Sequence, residues 1–127
     1  TNPDVPVIEH RVEIDTDSGP VSVVPVLYAN VAQYKEELGG PFFKFLTFRL
    51  MQIERDGDKW APRLVDGEPV LFDPAKTKGY MDKIGRNTGY IIHAEEVLAE
   101  NFVLMVRGAA DVKTPRILDA MRQVLAK

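Results

Sequence analysis

Ile8, His10, Val12 and Ile14 alternate with Glu9, Arg11, Glu13 and Asp15. A period of two over this run predicts a strand with one wet face. "TDSGP" (16–20) is dense in turn formers, and residues 21–28 read as the returning strand. Pro25 has no N–H to give to a ladder, so this strand is expected at an edge or with a bulge. Residues 30–38 suit a short helix, with Asn30 as cap and Gly39 as terminator. Residues 42–55 fit two patterns: Phe42, Phe45, Leu46, Leu50 and Ile53 have helical spacing, yet the run also suits a strand buried on both faces. "RDGDKW" and then "VDGEPV" (65–70) follow as hairpin signals. They favour a strand over the later part of the run, and a meander through roughly Phe72.

At Asp73 the period changes to 3.6. Asp73 followed by Pro74 is a helix cap with proline at the first helical position, and Tyr80, Met81 and Ile84 supply an apolar stripe ending near Gly85. A second helix is expected from close to His93 to about Arg107, with Gly108 as its stop. Val97, Leu98, Phe102, Leu104 and Met105 are the residues available for its buried side. Thr114 and Pro115 open a third helix, with Ile117, Leu118, Met121, Val124 and Leu125 as its buried face. Strands first and helices afterwards make the fold α+β, an N-terminal antiparallel β-meander followed by about three helices. At 127 residues the expected count is a single domain, 1–127.

Composition narrows the function classes. Hydrophobic residues at 45% and charged residues at 28% suit a globular chain and argue against global disorder. A net charge of −3 without a Lys/Arg cluster gives no surface for tracking phosphates, so nucleic acid is not an expected partner. With no cysteine there is neither a disulfide framework nor a thiolate metal site, which fits the cytosol. The longest nearly apolar run, 21–29, is broken by Ser22 and Pro25 and is too short to span a bilayer, so no membrane is expected either. No signal peptide is visible at the start. Thr1 stands where an initiator methionine would, so the chain is expected to be a trimmed or processed product, or the C-terminal piece of something longer.

Several chemical patterns reduce to structure. "GRNTG" (85–89) lacks the lysine and hydroxyl of a phosphate loop, and a helix C-cap running into a turn explains it better. His10 falls on the apolar side of the first predicted strand, as a core histidine with one hydrogen bond would. No GxSxG elbow is present, and neither serine, Ser18 or Ser22, has a histidine nearby in sequence.

"NTGYIIHAEEVLAENF" (87–102) is different. On a helix, His93, Glu96 and Glu100 fall at i, i+3 and i+7 and share one face. Carboxylates at this spacing can hold a metal, do acid/base work or face water. The helix dipole favours Glu95 and Glu96 in the first turn by ~0.3–1 kcal/mol. Glu100 repels Glu96 by only ~0.2–0.5 kcal/mol. On the residues alone, a solvated acidic face is the simpler explanation.

"EEVLAENF" resembles the second zinc-binding element of gluzincin metallopeptidases, in which a glutamate ligand opens an E-x-x-A-[D/E/N] pattern on a helix. The resemblance makes Glu96 the metal ligand, Ala99 the small residue that permits close helix packing, and Glu100 an outer partner of the ligand. Tyr90 and His93, just ahead, are candidates for stabilising an oxyanion. It covers about ten residues. The "HExxH" element of these enzymes has no counterpart here, since the only histidines are His10 and His93. The reading implied is the C-terminal segment of a zinc-dependent metallopeptidase-like protein, inactive alone. Zinc would bind in the longer parent and not tightly to this chain, and the substrate would be a peptide or protein. The alternative is a non-catalytic α+β module that binds a protein or ligand, with "GGPFFKFLTF" (39–48) as its contact surface.

Overall fold

The computed structural model describes residues 8–33, 37 and 39–127. The chain divides into two compact units, Thr1–Thr77 and Lys78–Lys127. The first carries the sheet and the second the α-helices, so the fold is α+β as the pattern predicts.

In the first unit the opening alternation becomes a strand later than expected. Ile8–His10 forms a turn of 3-10 helix, and β1 is Val12–Thr16. The 3-10 turn is closed by Arg11 N–H donating to Ile8 O, a contact that an extended chain cannot make. β1 turns over Asp17 and Ser18 into β2 (Gly19–Ala29), which pairs in turn with β3 (Leu46–Asp56). Pro25 does lie on an edge stretch. β1 covers β2 only as far as Val23, opposite Val12. The hydrogen bond from Asn30 N–H to Phe45 O fixes the phase of the β2–β3 ladder, so the nitrogen of Pro25 faces away from β3, past the end of β1.

β3 pairs with β4 (Lys59–Pro62) through a two-residue turn at Gly57 and Asp58, the hairpin that "RDGDKW" signals. The second signal folds separately: β5 (Leu64–Val65) and β6 (Glu68–Pro69) form a two-stranded ribbon. Asp66 and Gly67 at its turn have φ of 54° and 83°, the positive pair that a type I′ turn requires. β7 (Leu71–Phe72) then returns to β3 beside β4. Gln52 joins the excursion at its base, accepting from Arg63 N–H and donating to Val70 O. Both faces of the sheet are apolar. Val24, Val26 and Ile53 pack with Ile8, Tyr28, Met51 and Trp60 on one, and Ile14, Val23 and Leu50 are buried on the other.

Of the helix predicted over 30–38, residues 34–36 and 38 lie outside the described residues, and 30–33 form a bend instead of a helical turn. In the aromatic run, 3-10 helix covers Phe42–Phe45 and strand follows.

Asp73 and Pro74 open a turn instead of a helix. The Asp73 carboxylate accepts from Ala75 N–H, and its backbone carbonyl accepts from Lys76 N–H and the Thr77 hydroxyl. An Asx-turn thus takes the groups a helix would use. In the second unit α1 is short, Tyr80–Ile84, and stops at Gly85 as expected. α2 is Ala94–Val106 and α3 is Pro115–Leu125, close to the predicted bounds. Their buried faces are narrower than the pattern suggests. On α2, Val97 and Asn101 are buried while Leu98 and Phe102 face out; on α3, Leu118 is buried while Val124 and Leu125 are exposed.

Candidate functional site at the start of the second long helix

Every residue of the 87–102 motif lies in the second unit, and three sets of hydrogen bonds hold its entry. Tyr80, buried on α1, donates its hydroxyl to Ile91 O. Burial pushes that hydroxyl far above the ordinary tyrosine range, with nearby Tyr90 adding to the shift. Asn87 is the second clamp. Its Oδ1 accepts from Thr114 N–H at 2.6 Å, and its Nδ2 donates to Thr114 O at 3.0 Å and to Asn101 Oδ1 at 2.8 Å. Asn101 completes the chain by donating to Val97 O at 2.8 Å within α2. A buried amide with both ends used is stable where a half-used one would not be. Third, Arg86 N–H donates to Thr114 Oγ1, which ties the same loop to the start of α3.

His93 is the N-cap of α2, with extended backbone, and its carbonyl receives Val97 N–H. Its ring does not cap the helix; Nδ1 is instead hydrogen-bonded to the Tyr90 hydroxyl. The structure therefore joins Tyr90 and His93, and the helix start places them one turn before Glu96.

Glu95, Glu96 and Glu100 are all exposed. Among the described residues, Glu96 and Glu100 have neither a hydrogen bond nor an ion pair through their carboxylates. No three His, Asp or Glu among the described residues come together as a group able to hold a metal. Among the described residues, Glu96 and Glu100 are thus two exposed carboxylates without further ligands gathered beside them.

The face around Glu96 is unlike an ordinary wet face. Ala99, Val103 and Val106 follow it at i+3, i+7 and i+10, all three exposed. Opposite them, Val97, Asn101 and Leu104 form the inward stripe. Past Glu100 and Asn101, residues 102–106 of α2 are apolar on every side, the composition of a helix end that is enclosed all round.

Periodicity missed Asn87 and Asn101. An asparagine at the inward spacing between Val97 and Leu104 was the available signal for a buried polar network. His10 is half-buried at the end of the 3-10 turn of the first unit. In "GGPFFKFLTF" the rings divide: Phe45 is buried, whereas Phe42 and Phe43 are 50% and 77% exposed. No helix among the described residues is long and apolar enough to cross a membrane. Comparison of the chain with protein-family models, curated proteins and solved structures finds no match.

Proposed function

We propose that this chain is the C-terminal part of a zinc-dependent metallopeptidase-like protein and supplies its distal glutamate ligand, Glu96. The supporting observation is the outward stripe of α2. Glu96 stands with its carboxylate uncommitted at the head of Ala99, Val103 and Val106, an apolar row suited to close approach by another helix. A solvated face gains nothing from two exposed valines, whereas a helix bearing two histidines and a general-base glutamate would cover them and meet Glu96.

In this reading Glu96 binds the metal, and Glu100, one turn on, orients it through the outer shell. Ala99 keeps the interhelical distance short. Tyr90 and His93, held to each other at the helix entry, offer polar groups to the developing oxyanion. Bound zinc supplies Lewis-acid polarisation of the scissile carbonyl and an activated water. The substrate class is a peptide or protein.

The reading frame upstream of Thr1 gives the first test. An HExxH sequence in frame supports the proposal, and a start codon within a few residues of Thr1 contradicts it.

One observation favours the second reading, a non-catalytic binding module. Phe42 and Phe43, stacked edge to face at 6.0 Å, leave an aromatic pair exposed in the first unit. Loss of partner capture on Phe43→Ser, with zinc content unchanged in the full-length protein, would favour that module.

A further inference from the structure

The first unit carries a pair of cations outside the zinc reading. Trp60 of β4, the only tryptophan in the chain, is stacked with two guanidiniums: Cζ of Arg11 and Cζ of Arg55 each lie 4.9 Å from its ring centre. Three elements build this stack. Arg55 stands opposite Trp60 in the β3–β4 ladder, so their side chains share a face of the sheet. The indole is half-buried and packs on the cluster of Val24, Val26 and Ile53. Ile8 covers the same cluster, and the 3-10 turn it opens delivers Arg11 to the ring. Both arginines are exposed.

Attraction to the ring face explains one arginine on Trp60. A second adds repulsion between like charges no more than about 10 Å apart, and no carboxylate among the described residues relieves it. Glu54 and Asp56 alternate to the other face of β3, where Glu54 is paired with Arg63 at 3.0 Å. Glu9, Glu13 and Asp58, also close in sequence, form no ion pair with either arginine. Each guanidinium gives one long hydrogen bond to a carbonyl, from Arg11 Nη1 to Ile8 O at 3.4 Å and from Arg55 Nη1 to Asp58 O at 3.3 Å. The other N–H donors of both have no partner among the described residues. Stacking uses the faces of the guanidinium and leaves its donors in the plane, open to a ligand. We propose that Arg11, Arg55 and Trp60 form a binding site for a doubly charged oxyanion of the phosphate class. Two convergent cations favour a dianion over a single carboxylate, and the planar forks match its oxygens. The site lies wholly in the first unit and stands independently of the zinc reading.

With no other tryptophan present, intrinsic fluorescence reads the site directly. The 127-residue chain is titrated with inorganic phosphate, phenyl phosphate and acetate, with sodium chloride at matched ionic strength as the blank. Both phosphates should change the emission saturably and raise the unfolding midpoint, and acetate should bind at least about tenfold more weakly. Arg11→Gln and Arg55→Gln should each weaken phosphate at least about tenfold. Arg55→Lys should weaken it as well, because an ammonium lacks the fork. Arg107→Gln, exposed in the second unit, should bind as the parent does. Circular dichroism checks that the variants fold, and if one glutamine variant does not, the other carries the test. Tighter binding of phenyl phosphate than of inorganic phosphate assigns the group to an organic ester, and the reverse assigns it to the free ion. A response no larger than that to chloride overturns the proposal, as do binding that survives the glutamine substitutions and equal affinity for acetate.

Discussion

The inward face of α2 carries an asparagine where periodicity asks for an aliphatic residue, and both ends of its amide are used. Asn87 supplies one of those contacts and also grips both backbone groups of Thr114. Asn87→Ala would leave Asn101 Oδ1 and Thr114 N–H short of partners inside the unit. A loss of about 2–3 kcal/mol in urea unfolding is expected. Tyr80 makes a pH-dependent contribution. Its hydroxyl titrates above the ordinary value of 10.0 because burial disfavours the phenolate, with Tyr90 adding to the effect. The unfolded chain therefore releases this proton first as pH rises. The stabilisation is complete below about pH 10 and is lost above it. Tyr80→Phe should remove that alkaline component, visible by comparing unfolding at about pH 8 and about pH 11. It should also cost about 1–2 kcal/mol at neutral pH, because Ile91 O loses its donor. Of this network, only the inward place of Asn101 was legible in the sequence. Hydrophobic spacing places a residue on a face, but which amide meets which carbonyl depends on the path of the 85–93 loop.

Turn chemistry made the hairpins and the helix ends readable. Asp66 and Gly67 hold the positive φ angles that a two-residue hairpin demands, and Gly85 and Gly108 stop α1 and α2 as expected. Gly85 is the sharpest case. At φ 84° and ψ 176° it occupies backbone space nearly closed to other residues, and an added Cβ would sit 3.0 Å from Ile117 Cγ1 of α3. Gly85→Ala should cost about 2–3 kcal/mol, measured as a shift in the unfolding midpoint. Asp73 and Pro74 misled for a physical reason. The same pair that caps a helix also closes an Asx-turn, and here the side chain and carbonyl of Asp73 were used locally. The outward positions of α2 and α3 misled in another way. Leu98, Phe102, Val124 and Leu125 read as core by spacing, yet in the described chain they face outward. Periodicity identifies apolar faces; it does not say whether this chain or another molecule covers them.

At the scale of the molecule, one unit carries a sheet with two apolar faces, and the other presents an acidic helix with apolar neighbours on its outer side. The fold class was legible because the change of period near Asp73 coincides with the change from strand to helix. The candidate site was legible only in part: the position and exposure of Glu95, Glu96 and Glu100 followed from helical geometry, and the apolar stripe beside them emerged only with the structure. With histidines at 10 and 93 alone, the isolated chain should not hydrolyse a casein-type substrate even with added zinc, and any zinc-dependent cleavage would refute the assignment of roles. The most direct test is the zinc content of the protein made from the complete reading frame, with Glu95, Glu96 and Glu100 changed singly to glutamine. Glu96→Gln should lose most of the bound zinc, Glu100→Gln should weaken affinity by about 10–100-fold, and Glu95→Gln, about 100° away around the helix, should bind as the parent does. Equal zinc content in all three variants would contradict the role given to Glu96.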